Sequence, residues 1–167
     1  MTDQIAPILR EALDYLANEE RDIFFRWIQR VSRLRLYLGR PDTSLDELRN
    51  HMPDVFRQLP TLILHLANST NAEGNPFAAA RQHAADRYHQ NVPVGIVVKE
   101  FQLLRNEMWY KLRTWNRSPV LTANEVFLIE EHINFGLDEV IAVTLDTFVE
   151  LESGRSYGIT TNDLGGG

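Results

Sequence analysis

The chain has 167 residues and a mass of 19.3 kDa, the length of one ordinary domain. Hydrophobic residues make up 44% and charged residues 24%, a globular balance that excludes wholesale disorder. Cysteine is absent and the net charge is −6, which excludes disulfides, thiolate metal sites and cysteine nucleophiles and leaves no basic excess for a nucleic-acid backbone. No apolar run reaches the length of a transmembrane helix. The start, MTDQIAPILREALDYL, lacks the basic-then-apolar layout of a signal peptide. The expectation is a cytoplasmic chain that engages neither nucleic acid nor membrane.

The first segment runs from about Gln4 to Asn18. Ile5, Ile8, Leu9, Ala12, Leu13 and Leu16 recur at three and four residues, one apolar face of a helix, and Pro7 falls in its first turn. The second runs from about Glu20 to Leu38 on a stripe of Ile23, Phe24, Trp27, Ile28, Val31, Leu34 and Leu38. Arg26, Arg30 and Arg33 share another face, either a solvated row or an anion site. Gly39 to Asp42 break the helix.

Ser44-Leu-Asp-Glu47 matches a capping box and opens the third segment. Interruptions are expected near Pro53 and Pro60, giving two or three short helical pieces that end near Ala67. Asn68 to Asn75 reads as a loop, with Asn75 as N-cap and Pro76 as first helical residue of a helix reaching about Gln90. After a turn at Asn91-Val-Pro, a helix from Pro93 to about Trp115 follows. A second capping box, Thr122 to Glu125, with Leu121 and Val126 as a staple, opens a last helix reaching about Glu152. This helix is acidic where the two before it are basic, so they are expected to lie side by side. The fold class is all-α: one helical bundle or globin-like, non-haem packing with a long C-terminal helix, a sensor domain over 1–152 and a glycine-rich linker or tail over 153–167.

Histidines at 83 and 89 with Asp86 between them could contribute to a metal site, but no second ligand set follows at comparable spacing. Haem ligation by one of five histidines, or phosphotransfer at His83, would also suit a small helical chain. No phosphate loop, nucleophile elbow or kinase box occurs, so no catalytic residue, cofactor or metal is assigned. The densest pattern joins His83 and Arg87 on one helix to Glu100 and Arg105 on the next. These four form a candidate polar network or ligand site. Glu100 either clamps the helical hairpin through Arg87 or His83, or the network lines a pocket.

That segment resembles the N-terminal domain of RsbR-type stressosome proteins, the RsbT co-antagonist N-terminal family, which also heads many sensor histidine kinases. The likeness rests on His83-Ala84, Arg87, Val97, Glu100-Phe101 and Leu104-Arg105, on Leu137 to Ala142, and on His51-Met-Pro-Asp-Val-Phe, and covers about residues 5 to 152. It implies a non-catalytic signal-input module that is similar to globins without haem, forms a homodimer, and passes its last helix into a kinase, PAS, GAF or STAS effector. After Glu152 only the glycine-rich tail remains, which fits a fragment cut in a linker or a free-standing version.

On the last helix, Ile133, Leu137, Val140 and Thr144 follow a heptad-like seam, and Ile141, Leu145 and Phe148 form a neighbouring stripe. The seam is the expected dimer helix, unless both stripes are buried inside one subunit. The function expected from these readings is signal input in a stress-response or two-component pathway. The competing expectation is a ligand- or metal-binding protein using His83, Asp86 and His89.

Overall fold

The computed structural model describes residues 5–37, 39, 44–68 and 75–159. Its elements are α1 (Ile5–Asn18), α2 (Glu20–Tyr37), α3 (Leu45–Arg49), α4 (Met52–Asn68), α5 (Ala78–His89), α6 (Val94–Thr114) and α7 (Ala123–Ile159), with no strand among the described residues. The architecture is all-α, as the periodicity requires.

The main apolar stripes of α1, α2, α4 and α6 turn inward. Leu9, Ala12, Leu13 and Leu16 of α1, Ile23, Trp27 and Val31 of α2, and Val97, Phe101, Leu104 and Met108 of α6 are all buried. They meet in one core, into which Val55, Phe56, Leu59, Leu62 and Ile63 project from α4. The helix α7 is the organising rod: α1, α4, α5 and α6 all pack against it, and α2 covers the far side of α6. A fully buried side chain of this size contributes roughly 1.5–3 kcal/mol, so the stripes outweigh any single surface contact.

Two contacts set the geometry. Gly136 lies so close to α4 that a Cβ built there would fall 2.5 Å from Ile63 Cγ1. Only a residue without Cβ lets α7 approach α4 this closely. Between α5 and α6 the reversal turns on Asn91, whose φ of 55° is left-handed and suits asparagine.

The local start signals hold in part. Glu47 N–H donates to Ser44 Oγ at 3.1 Å. Thr122 and Glu125 form the full reciprocal box, with Thr122 N–H donating to Glu125 Oε2 at 2.7 Å and Glu125 N–H to Thr122 Oγ1 at 3.3 Å. Those bonds to its charged form hold the Glu125 carboxyl below its usual range.

Other boundaries differ from expectation. Pro60 does not interrupt α4, which continues from Met52 to Asn68. One amide bond is lost there, but buried Phe56, Leu59, Leu62 and Ile63 on both sides keep the segment in helical phase. Asn75 does not cap α5 directly: its side chain accepts from Phe77 N–H in a tight turn, and the helix starts at Ala78. The last helix runs beyond Glu152 to Ile159, so the first part of the expected tail is helical. Leu38, residues 40–42 of the expected break, residues 69–74 of the expected loop and residues 160–167 of the tail lie outside the described residues.

Candidate functional site

Three of the four side chains of the expected network meet inside the protein. His83 and Arg87 project from one face of α5, one turn apart, and Glu100 meets them from the second turn of α6. All three are fully buried. Glu100 Oε2 accepts from His83 Nε2 at 3.1 Å and from Arg87 Nε at 3.0 Å.

Arg87 does a second job. Its Nη1 donates to the carbonyl of Glu47 at 2.6 Å and to Gln90 Oε1 at 2.9 Å, and its Nη2 donates to the carbonyl of Leu48 at 2.7 Å. Those carbonyls belong to the last residues of α3, a helix too short to satisfy its own C-terminal acceptors. A cation there also suits the negative end of the helix. The guanidinium therefore docks α3 onto the α5–α6 hairpin. The same node reaches α2, because Trp27 Nε1 donates to the backbone carbonyl of Glu100 at 2.9 Å.

The hydrogen-bond partners of His83 fix its state. Its Nε2–H donates to the carboxylate, and its Nδ1 lies 3.4 Å from Asn50 Nδ2, placed to accept from that amide. Asn50 itself sits at the C-cap of α3 with a φ of 44°. Burial pushes the His83 imidazole below its ordinary value; the Glu100 carboxylate opposes this, and Arg87 adds to it. His83 is thus a neutral donor within a compensated Arg87–Glu100 pair. The node clamps four helices. It lines none of the clefts between α2 and α4, between α6 and α7, and between α4 and α7.

Arg105 does not join it. Five residues beyond Glu100 it points to α7, where its Nη2 pairs with Asp138. The residue that sequence reasoning passed over is Glu107, seven after Glu100 and on the same face of α6. Glu107 is fully buried, and its oxygens lie 2.6 Å from Arg26 Nε and 2.7 Å from Arg30 Nε. The Arg26 guanidinium also lies over the Tyr110 ring, 3.8 Å from its centre. One turn on, Lys111 bridges Glu19 at 2.7 Å and Asp22, and those hydrogen-bonded carboxylates push its ammonium upward. Two members of the α2 arginine row are therefore neither an open anion site nor simply solvated: Arg26 and Arg30 meet α6 through a line of ion pairs, while Arg33 stays exposed as a solvated member. The signal was present, since Glu107 occupies a core phase between Leu104 and Met108.

The expected seam on α7 turns the other way. Ile133, Leu137, Val140 and Thr144 are buried in the chain's own core and are not available to a partner. The hydroxyls of Thr144 and Thr147 donate to the carbonyls of Val140 and Val143, which lets threonines occupy that face. Of the neighbouring stripe, Phe148 packs edge-on against Tyr88, while Leu145 stays exposed. The outward face instead carries Phe127, Phe135, Leu145 and Val149, exposed by 67%, 52%, 39% and 64%. The basic-to-acidic pairing of helices is present: besides Arg105 and Asp138, Arg81 lies 3.6 Å from Glu150, and Tyr88 donates to Glu152 at 3.0 Å.

His83, Asp86 and His89 do not converge. His83 is inside, Asp86 pairs with His51 Nε2 at 3.2 Å, and His89 is exposed beside the Tyr88 ring. Among the described residues no three metal-binding side chains gather. Burial also removes His83 from any phosphoryl donor. No helix of the described residues is long and apolar enough to cross a membrane.

No curated protein and no solved structure matches the chain. One family model does, that of the RsbT co-antagonist protein rsbRD N-terminal domain, over residues 21–155. That span reaches from α2 into the last turns of α7 and holds the clamp of His83, Arg87 and Glu100 together with Glu107. The chain belongs to the RsbT co-antagonist rsbRD N-terminal domain family.

Proposed function

We propose that this chain is a non-catalytic signal-input module of stressosome type, which dimerises and drives an effector through α7. The observation that carries the reading is the two-sidedness of that helix. It spans 37 residues, about 55 Å at 1.5 Å per residue. One face is locked into the core by Ile133, Leu137, Val140 and Thr144, and the opposite face carries Phe127, Phe135, Leu145 and Val149 outward. A helix gripped along one side moves with the body that grips it. An apolar stripe on the other side of a surface helix needs a partner. A second copy of the same helix is the simplest one, since two-fold pairing uses a single self-complementary patch. Paired helices can hand a small shift or rotation to a kinase, PAS, GAF or STAS effector that follows them. The family supports the stress-signalling setting.

Light scattering tests the dimer. The expected mass is twice 19.3 kDa. Leu145→Glu and Val149→Glu should give a folded monomer by circular dichroism. A monomeric parent would end the dimer reading. Placed before a histidine-kinase core, the parent domain should alter autophosphorylation and Leu145→Glu should abolish that effect. Equal rates with and without the domain would end the input reading.

A further inference from the structure

A cleft of about 620 Å³ opens where the end of α6, the connecting loop and the first turns of α7 meet. Its volume falls in the range of small-molecule sites, roughly 300–1,000 Å³. Trp109 and Leu112 line it from α6, Trp115 from the C-cap of α6, and Ile129 from α7. The walls are set in advance. Trp109 Nε1 donates to Asn134 Oδ1 at 3.3 Å, and the Trp115 ring stacks on Tyr15 with centres 4.9 Å apart. The loop is pinned by Arg117, which forks onto Glu11 at 2.9 and 3.0 Å and donates to the Pro119 carbonyl at 2.7 Å. A preformed cleft binds without the ordering cost of a mobile one.

Two opposite charges face this space from its two helices. Arg113 lines it from α6 and Glu130 from α7. They do not pair with one another, and among the described residues neither has an ion pair elsewhere; Arg117, the second cation lining the cleft, is taken up by Glu11, as Arg105 and Lys111 nearby are by their own carboxylates. A cleft of mixed lining, with aromatic and aliphatic walls, an unpaired cation on one helix and an unpaired anion on the other, matches a molecule that carries both charges and an apolar body.

We propose that the α6–α7 cleft binds a small zwitterion of the amino-acid class with an aromatic or large aliphatic side chain. Arg113 receives the carboxylate in a charge-assisted pair and Glu130 accepts from the ammonium. The side chain lies between Trp109 and Trp115. Binding stands on the cleft alone. That the ligand is the stimulus rests on the input-module reading, because the same ligand would wedge α6 from the first turns of α7.

The test uses the whole chain and three probes of one shape. L-phenylalanine carries both charges, 3-phenylpropionate only the carboxylate, and phenethylamine only the ammonium. Calorimetry, with the Trp109 and Trp115 indole N–H resonances as the local readout, is expected to show saturable binding of L-phenylalanine. Each single-charge analogue should bind about tenfold more weakly or worse, as should L-phenylalanine to Arg113→Ala and to Glu130→Gln. Both substitutions sit at exposed positions and leave the core intact. Absence of saturable L-phenylalanine binding overturns the proposal. So does equal affinity for all three probes, or binding that both variants leave unchanged. Binding is read without a dimer or an effector, so loss of the signalling reading leaves this result standing, and the reverse.

Discussion

Glu107, with no exposed surface, holds its Oε2 2.6 Å from Arg26 Nε across the α2–α6 contact. The acid is buried and the base is partly in solvent. The pair is therefore asymmetric: the arginine can return to water, but the carboxylate cannot leave its place.

That asymmetry predicts unequal mutants. Glu107→Ala removes the anion that Arg26 and Arg30 share and leaves a gap in the core. It should destabilise by about 2–3 kcal/mol in urea unfolding. Arg30→Ala should cost below about 1 kcal/mol, since its side chain is close to half exposed and Arg26 still faces the carboxylate. Equal losses for the two would contradict the asymmetry.

The His83 node predicts a pH dependence. The folded state lowers the imidazole below its ordinary value of 6.5, while the unfolded chain keeps that value. As pH falls through 6.5, the unfolded state takes up a proton that the folded state resists. Stability gained from the neutral ring is thus full above 6.5 and declines below it. Unfolding free energies at about pH 7.5 and about pH 5.5 should differ more in the parent than in His83→Gln. Identical slopes would mean that His83 does not titrate between the states.

Breaking the clamp itself should be severe. Glu100→Ala strands the Arg87 guanidinium in the core and should destabilise by about 3–5 kcal/mol. Arg87→Met also uncaps the Glu47 and Leu48 carbonyls. It is expected to loosen α3 first, seen as early amide exchange of Leu48 and its neighbours by NMR. Uniform exchange across the fold would deny Arg87 its docking role.

Glycines on one helix should respond in opposite directions. Gly136→Ala gains about 1 kcal/mol of helix propensity but forces a Cβ into Ile63, an overpacking cost of about 1–3 kcal/mol, so it should destabilise. Gly154 on the same helix has nothing within 4 Å, and Gly154→Ala should raise the melting temperature. A Gly136→Ala variant more stable than the parent would show that Ile63 moves aside freely.

Core and surface positions of α7 should separate just as cleanly. Val140→Glu places a charge in the core and is expected to unfold the chain. Leu145→Glu, on the outward face, should keep the helical signal and alter only the molecular mass. Unfolding by Leu145→Glu would make that stripe part of the core.

What the sequence by itself determined was local. Periodicity near 3.6 residues marked every long helix, the Thr122–Glu125 box placed the start of α7, and the His83, Arg87 and Glu100 spacing named the clamp. Those signals work because they involve residues one or two turns apart or across one tight turn. Tertiary packing decided the rest. Apolar residues recur on more than one side of α7, and nothing in their spacing says which side α4, α5 and α6 will cover. The close approach at Gly136 and Ile63 turned Ile133, Leu137, Val140 and Thr144 inward and left Phe127 and Phe135 outside. Likewise Arg105 and Glu107 are two residues apart on one helix. Their different partners, Asp138 and Arg26, follow from which neighbour each face meets. Pro60 stayed helical because burial on both sides of it outweighed one lost amide bond. A face is a property of the chain, but its occupant depends on how distant helices share a common core.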